Sequence, residues 1–224
     1  MPGTIGAVSD RSEEVRPSLR ERKKQNTRRM LVDAAVDLCL KQGYESTTVE
    51  QVAATAEIST RTFSRYFATK DAVFIAVLDD LAAEVVAELE AQESDLSPME
   101  ALRAAHMSVL MRVVRRPLAG LTTERVALIL RVVNSSDVLR QAAIDYRNTA
   151  AIELLARKMG VAADNRELDL AVALFSTTLV SACRDLVEDR DGVPLGPEVV
   201  MERLDHAMVH VAQFAADMDV KAEG

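Results

Sequence analysis

Little in this chain can form a covalent cross-link or a metal site. Only 2 of its 224 residues are Cys and only 3 are His. Two thiols cannot frame a disulfide-stapled domain, and Cys39 and Cys183 each sit among apolar neighbours, as small core groups do. His206 and His210 stand at i, i+4, a metal-ligand interval, but no Glu follows His206 and no third ligand accompanies the pair. The chain carries no Gly-rich phosphate loop, nucleophile elbow or exposed-Cys motif, so neither an enzyme nor a cofactor or metal is expected. Proline and glycine are also scarce, at 6 and 8. With long Ala, Leu, Val, Glu and Arg stretches, that scarcity points to an all-α fold. No apolar run approaches ~20 residues, and the N-terminus lacks the apolar centre of a signal peptide. The expectation is a soluble cytoplasmic protein without a membrane partner.

What is present is apolar surface and an uneven charge. Hydrophobic residues make up 49% of the chain, enough for a sizeable core. The net charge of −8 divides sharply. Residues 1–70 hold 12 Lys and Arg against 9 Asp and Glu, a net of +3, which leaves −11 for residues 71–224. Between Arg16 and Arg29 seven residues are basic and one, Glu21, is acidic. Phosphate neutralisation requires a local basic surface rather than a basic protein.

Periodicity predicts about nine helices and no strand. Residues 1–18 lack periodicity and read as a disordered tail. A helix over 19–42 follows, with Leu31, Ala34, Ala35 and Leu38 on one stripe and Gly43 placed to end it in the left-handed conformation. Thr47 and Glu50 have the spacing of a capping box for a short helix. The pattern breaks near Glu57 and Ile58, and Ser59 offers a new N-cap for a second helix over 60–66. Phe63, Phe67 and Ile58 can face inward from that segment. Thr60, Arg61, Thr62, Ser64 and Arg65 then point outward, as hydroxyls and guanidinium groups that read base edges and phosphates. Two short helices with such an outer face form a DNA-reading helix-turn-helix. Further helices are expected over 70–93, 97–115, 121–133, 136–159, 167–188 and 197–217.

The stretch Gly43-Tyr44, Thr47-Thr48-Val49, Val52-Ala53, Ala56, Ile58-Ser59, Thr62-Phe63, Tyr66-Phe67 and Lys70-Asp71 resembles the tetracycline-repressor (TetR) family of bacterial transcriptional regulators. The likeness covers roughly residues 25–78. Glu57 stands where the family usually has Gly, and Arg61 where Gly or Pro is common. The resemblance implies a DNA-binding domain over 19–70 and a ligand-binding and dimerisation domain over 71–224. It implies phosphate contacts from Tyr66, Lys70, Thr47 and Thr48. The outward Thr60, Arg61, Ser64 and Arg65 are the expected base contacts, and Thr62 and Arg28 are also expected at the DNA.

The resemblance further implies a homodimer on an inverted-repeat operator in double-stranded DNA, acting as a repressor that a small hydrophobic or amphipathic effector releases. The alternative is a regulator without a ligand, or one answering to a protein partner. His106, Met107, Leu110, Met111, Leu130, Tyr146 and Phe175 lie on middle helices and could line an effector cavity. Arg112 and Arg125 could attract an anionic head group. Phe175, Leu179 and Ala182 on one late helix, and Leu204, Met208, Val211 and Ala215 on the last, are the expected dimer surface.

Overall fold

The computed structural model describes residues 18–92, 95–118, 121–187 and 194–222, with side chains to residue 217. Of the expected tail over 1–18, residues 1–17 lie outside them. The described residues are all helical apart from turns and one isolated bridge, Leu118 to Leu121. No helix among them is long and apolar enough to cross a membrane.

The first helix, α1 (Leu19–Gln42), starts at Ser18, whose hydroxyl accepts the Glu21 N–H at 3.2 Å. It stops at Gly43, whose φ of 83° comes with an extended ψ of 158° rather than the left-handed pair expected. The next helix, α2 (Val49–Thr55), is capped one residue later than the sequence suggested. Thr48 and Gln51 form the capping box. Thr47 is instead buried, with its hydroxyl donating to the Gly43 carbonyl at 2.9 Å.

The turn after α2 places Glu57 at φ +55°, the one non-glycine residue with positive φ among those described. A left-handed side chain costs about 1–2 kcal/mol, offset here by the Glu57 and Ile58 N–H groups donating to Ala54 and Ala53. The next helix, α3 (Thr60–Phe63), is shorter than the sequence suggested. Beyond Phe63 it tightens, with Arg65 N–H bonding Thr62 and Tyr66 N–H bonding Phe63, three residues back in each case.

Two helices expected to be continuous are broken. The segment over 70–93 divides into α4 (Lys70–Ile75), a 3-10 turn (Ala76–Leu78) and α5 (Asp79–Ala91). The segment over 136–159 divides into α8 (Asp137–Ile144) and α9 (Thr149–Met159), because Asn148 leaves the helix to cap α9 by accepting the Ala151 N–H at 3.0 Å. Between these pairs lie α6 (Pro98–Arg115), with its capping box at Ser97 and Glu100, and α7 (Thr123–Asn134). Then follow α10 (Arg166–Ala182) and α11 (Pro197–Ala222).

The core is one buried cluster running from Leu31 to Leu204. Within it α6 packs on α5, α10 and α11, while α1 and α4 rest on α7 and α4 also on α8. Phe63 and Phe74, at 2% and 0% exposure, anchor the N-terminal part. Each contributes about 1.5–3 kcal/mol by burial. Cys39 and Cys183 are both buried. α3 thus packs on α2, α2 on α1 and α1 on α4, which in turn touches α7 and α8.

Candidate nucleic-acid interface and effector cavity

The buried Phe63 and Phe67, with ring centroids 5.7 Å apart, clamp α3 and the turn after it against the core. That clamp turns Thr60, Arg61, Ser64 and Arg65 to solvent. Thr62 is half-buried and exchanges a 3.0 Å hydroxyl contact with Ser59, so it supports the start of the helix. The Arg65 guanidinium lies 5.9 Å from the centre of the Tyr66 ring. Beside these two, the first turns of α1 bring Leu19, Arg20, Glu21, Lys23, Lys24 and Thr27 to a common groove. The basic cluster was legible in the sequence, but its position against Arg65 and Tyr66 was not.

Three of the residues expected at the DNA, Thr47, Arg28 and Lys70, are already engaged within the chain. Thr47 is 1% exposed, so its side chain is a strut beneath the motif and not a contact. Arg28 pairs with Asp79 at 2.7 Å and lies 4.9 Å over the Phe67 ring, which makes it a tie between α1 and α5. Lys70 sends its ammonium to the Tyr44 carbonyl at 3.0 Å and over the Tyr44 ring at 3.9 Å. Tyr44 is itself held by donation of its hydroxyl to Asp71 and an edge-on contact with Phe74 at 5.3 Å. Burial, then that bond, pushes the Tyr44 phenol well up from its ordinary range. Thr48 is exposed, and its oxygen caps α2.

At the other end, α5, α6, α7, α9 and α10 enclose a cavity of about 180 Å³. One water occupies roughly 10–15 Å³ by such a measure, so the space admits on the order of a dozen waters or a small organic molecule. His106, Leu110, Leu130, Tyr146 and Phe175 line it as expected. Met107 and Met111 do not: Met107 packs on the core at the edge, and Met111 is 42% exposed on the outside of α6. Arg112 pairs with Glu84 and Glu88, and Arg125 with Asp80 at 3.2 Å, so neither serves the cavity. Burial pushes the His106 imidazole down to about 4, against a smaller upward pull from its bond to the Leu102 backbone. Burial likewise raises the Tyr146 phenol. Both groups are therefore neutral near pH 7.

The expected dimer surface also changes. Phe175 and Leu204 are buried in their own subunit at 3% and 0% exposure, and Leu179, Ala182, Met208 and Val211 are half-buried. The exposed large apolar side chains of these two helices are Leu170 and Leu174 on α10 and Val209 and Phe214 on α11, and Ala215 is exposed as well. On α10, Leu168 and Phe175 face the core while Leu170 and Leu174, four residues apart, share an outward side.

Residues 31–77 match the profile of the bacterial regulatory proteins of the tetR family, the stretch that holds the motif and its supports. Over that stretch the chain is similar to the TetR family. It is similar to the HTH-type transcriptional regulator TcmR of Streptomyces glaucescens, 40% identical over 112 residues, half of each chain. The likeness to the HTH-type transcriptional regulator RutR of Escherichia coli K12 is 32% over 76 residues, 34% of this chain and 36% of that one. The chain therefore spans about half the length of the first of these relatives. Among solved structures, Thermus thermophilus FadR, a TetR-family repressor in complex with lauroyl-CoA, aligns at TM-score 0.44 and 21% identity, covering 81% of this chain and 93% of that one. SmeT, repressor of the Stenotrophomonas maltophilia efflux pump SmeDEF, aligns at 0.46 and 21%, covering 84% and 91%.

Proposed function

We propose that this chain is a transcriptional regulator of the TetR type that binds an inverted-repeat operator as a homodimer and answers to a small molecule held in the central cavity. The outward row Thr60, Arg61, Ser64 and Arg65, set beside the basic groove of α1, carries the reading. Arg61 and Arg65 suit bidentate contact with guanine edges, each worth about 1–3 kcal/mol of discrimination. Arg20, Lys23 and Lys24 suit the flanking phosphates. The acidic remainder disfavours indiscriminate binding to nucleic acid. Two such motifs related by a two-fold axis would engage half-sites one DNA turn apart, roughly 34–36 Å, or a multiple of it. The exposed apolar side chains Leu170, Leu174, Val209 and Phe214 on α10 and α11 support pairing of two copies into a four-helix bundle. An occupant of the cavity regulates only by favouring one spacing of the motifs over another.

The test is selection of bound fragments from random duplex DNA, followed by binding to the recovered site. A palindrome is expected. Arg61→Ala should relax preference at one position of each half-site, whereas Lys23→Ala should weaken binding to every sequence and lower the salt slope by about one. Recovery of no preferred sequence at low ionic strength overturns the proposal.

A further inference from the structure

The cavity presents neutral walls and two unanswered hydrogen-bond acceptors. None of the described residues that line it is a Lys, Arg, Asp or Glu. His106 Nδ1 lies 2.8 Å from the Leu102 carbonyl oxygen. A carbonyl only accepts, so Nδ1 carries the proton and Nε2 presents its lone pair. No hydrogen bond to Nε2 exists among the described residues, and the ring is fixed against Phe175 with centroids 4.8 Å apart. Asn134, 7% exposed, also lines the cavity. Its Nδ2 donates to the carbonyls of Cys183 and Leu186 at 2.8 and 3.1 Å, which fixes the orientation of the amide. The Asn134 Oδ1 is left buried without a partner. Of the other polar lining groups, the Tyr146 hydroxyl donates to Asp79 at 3.1 Å, the Asn148 Oδ1 caps α9, and Ser176 contributes a small hydroxyl.

Such a site penalises charge of either sign, because an ion would lose its water and find no counter-charge. It rewards a donor, because the donor satisfies an acceptor that otherwise stays unpaired. We propose that the cavity selects an uncharged, largely apolar molecule carrying a hydroxyl or N–H donor, with His106 Nε2 as the acceptor that recognises it. The proposal rests on the reading of this cavity as the effector site and adds the chemistry of its occupant.

Three small probes test it on the full-length protein by calorimetry: indole, N-methylindole and the anion indole carboxylate. Indole should bind about tenfold more tightly than N-methylindole, the difference one neutral hydrogen bond makes. The carboxylate should bind more weakly still. His106→Leu should lower indole to the level of N-methylindole while leaving N-methylindole unchanged. Nitrogen NMR of the unmodified protein keeps the test independent of how that variant folds, since the Nε2 resonance should move on addition of indole and not of its methylated form. Equal affinities in the unmodified protein, a preference for indole that survives His106→Leu, or an unmoved Nε2 resonance would each overturn the donor rule. Binding of none of the three would overturn the cavity reading, and this proposal with it.

Discussion

Acidifying the protein from about pH 7 to about pH 5 should destabilise it through His106 alone, by an amount the structure sets. Burial holds the folded-state imidazole near 4, whereas an unfolded histidine titrates near 6.5. The folded pKa is the lower one, so its contribution to stability is present in full above 6.5 and is lost as pH falls towards 4. In that window the unfolded chain binds the extra proton, which is the condition for stability to fall with acid. One proton taken up by the unfolded chain only, across that interval, amounts to about 2 kcal/mol. Water entering the cavity would solvate the imidazolium and reduce the figure, so it is an upper value. Urea unfolding at several pH values, on the native protein and on His106→Leu, isolates the effect. Subtracting the two curves cancels the carboxylates and the exposed His206 and His210. The native protein should lose about 2 kcal/mol more than the variant. Parallel curves would refute the assignment of a neutral, buried imidazole.

Two further outcomes follow from other parts of the fold. Phe214→Glu combined with Leu174→Glu should convert a dimer to monomers in sedimentation equilibrium, whereas Val138→Glu, an equally exposed apolar site on α8, should not. A dimer that survives the double change places the interface elsewhere. Asp79 accepts from Tyr146 on the cavity wall and pairs with Arg28 on α1, so the two should be coupled through it. Tyr146→Phe and Arg28→Gln should be non-additive in unfolding free energy by about 0.5 kcal/mol or more. The coupling should vanish when Asp79→Ala is the background. Additivity in both backgrounds would cut the link.

Much of the fold was open to reading because its signals are local. Helix caps lie within three residues of what they cap, so Ser59, Ser97 and Ser136 could be found as starts and Gly160 as a stop. Where two adjacent threonines compete, as at Thr47 and Thr48, spacing alone cannot decide. The choice fell to burial, since Thr47 sits under the motif and bonds back to Gly43. The breaks in the two long helices were hidden for a similar reason. Residues 76–78 and 145–148 contain no proline or glycine, so propensity gives no warning. Tertiary packing imposed the bends, with Tyr146 turned to the cavity and to Asp79.

Site residues divide along the same line. An amphipathic pattern identifies which side chains leave the core, and so Thr60, Arg61, Ser64 and Arg65 were legible. It cannot identify which exposed cation has found a partner distant in sequence. Arg28 meets Asp79 fifty-one residues on, and Lys70 meets Tyr44 twenty-six residues back. Both cations lie next to the motif without being free to serve it in the same way as Arg20, Lys23 and Lys24. A wide apolar face hides a comparable ambiguity. Periodicity marks α10 and α11 as apolar on more than one side, yet it cannot say which side is taken by the chain's own core. Once Phe175 and Leu204 are committed inward, Leu170, Leu174, Val209 and Phe214 are left exposed on the surface of the subunit. Four large apolar side chains exposed between 42% and 67% on two adjacent packed helices exceed the scatter of single exposed residues normal for a monomer. A second copy supplies the same surface by symmetry, which makes self-association the economical way to cover it.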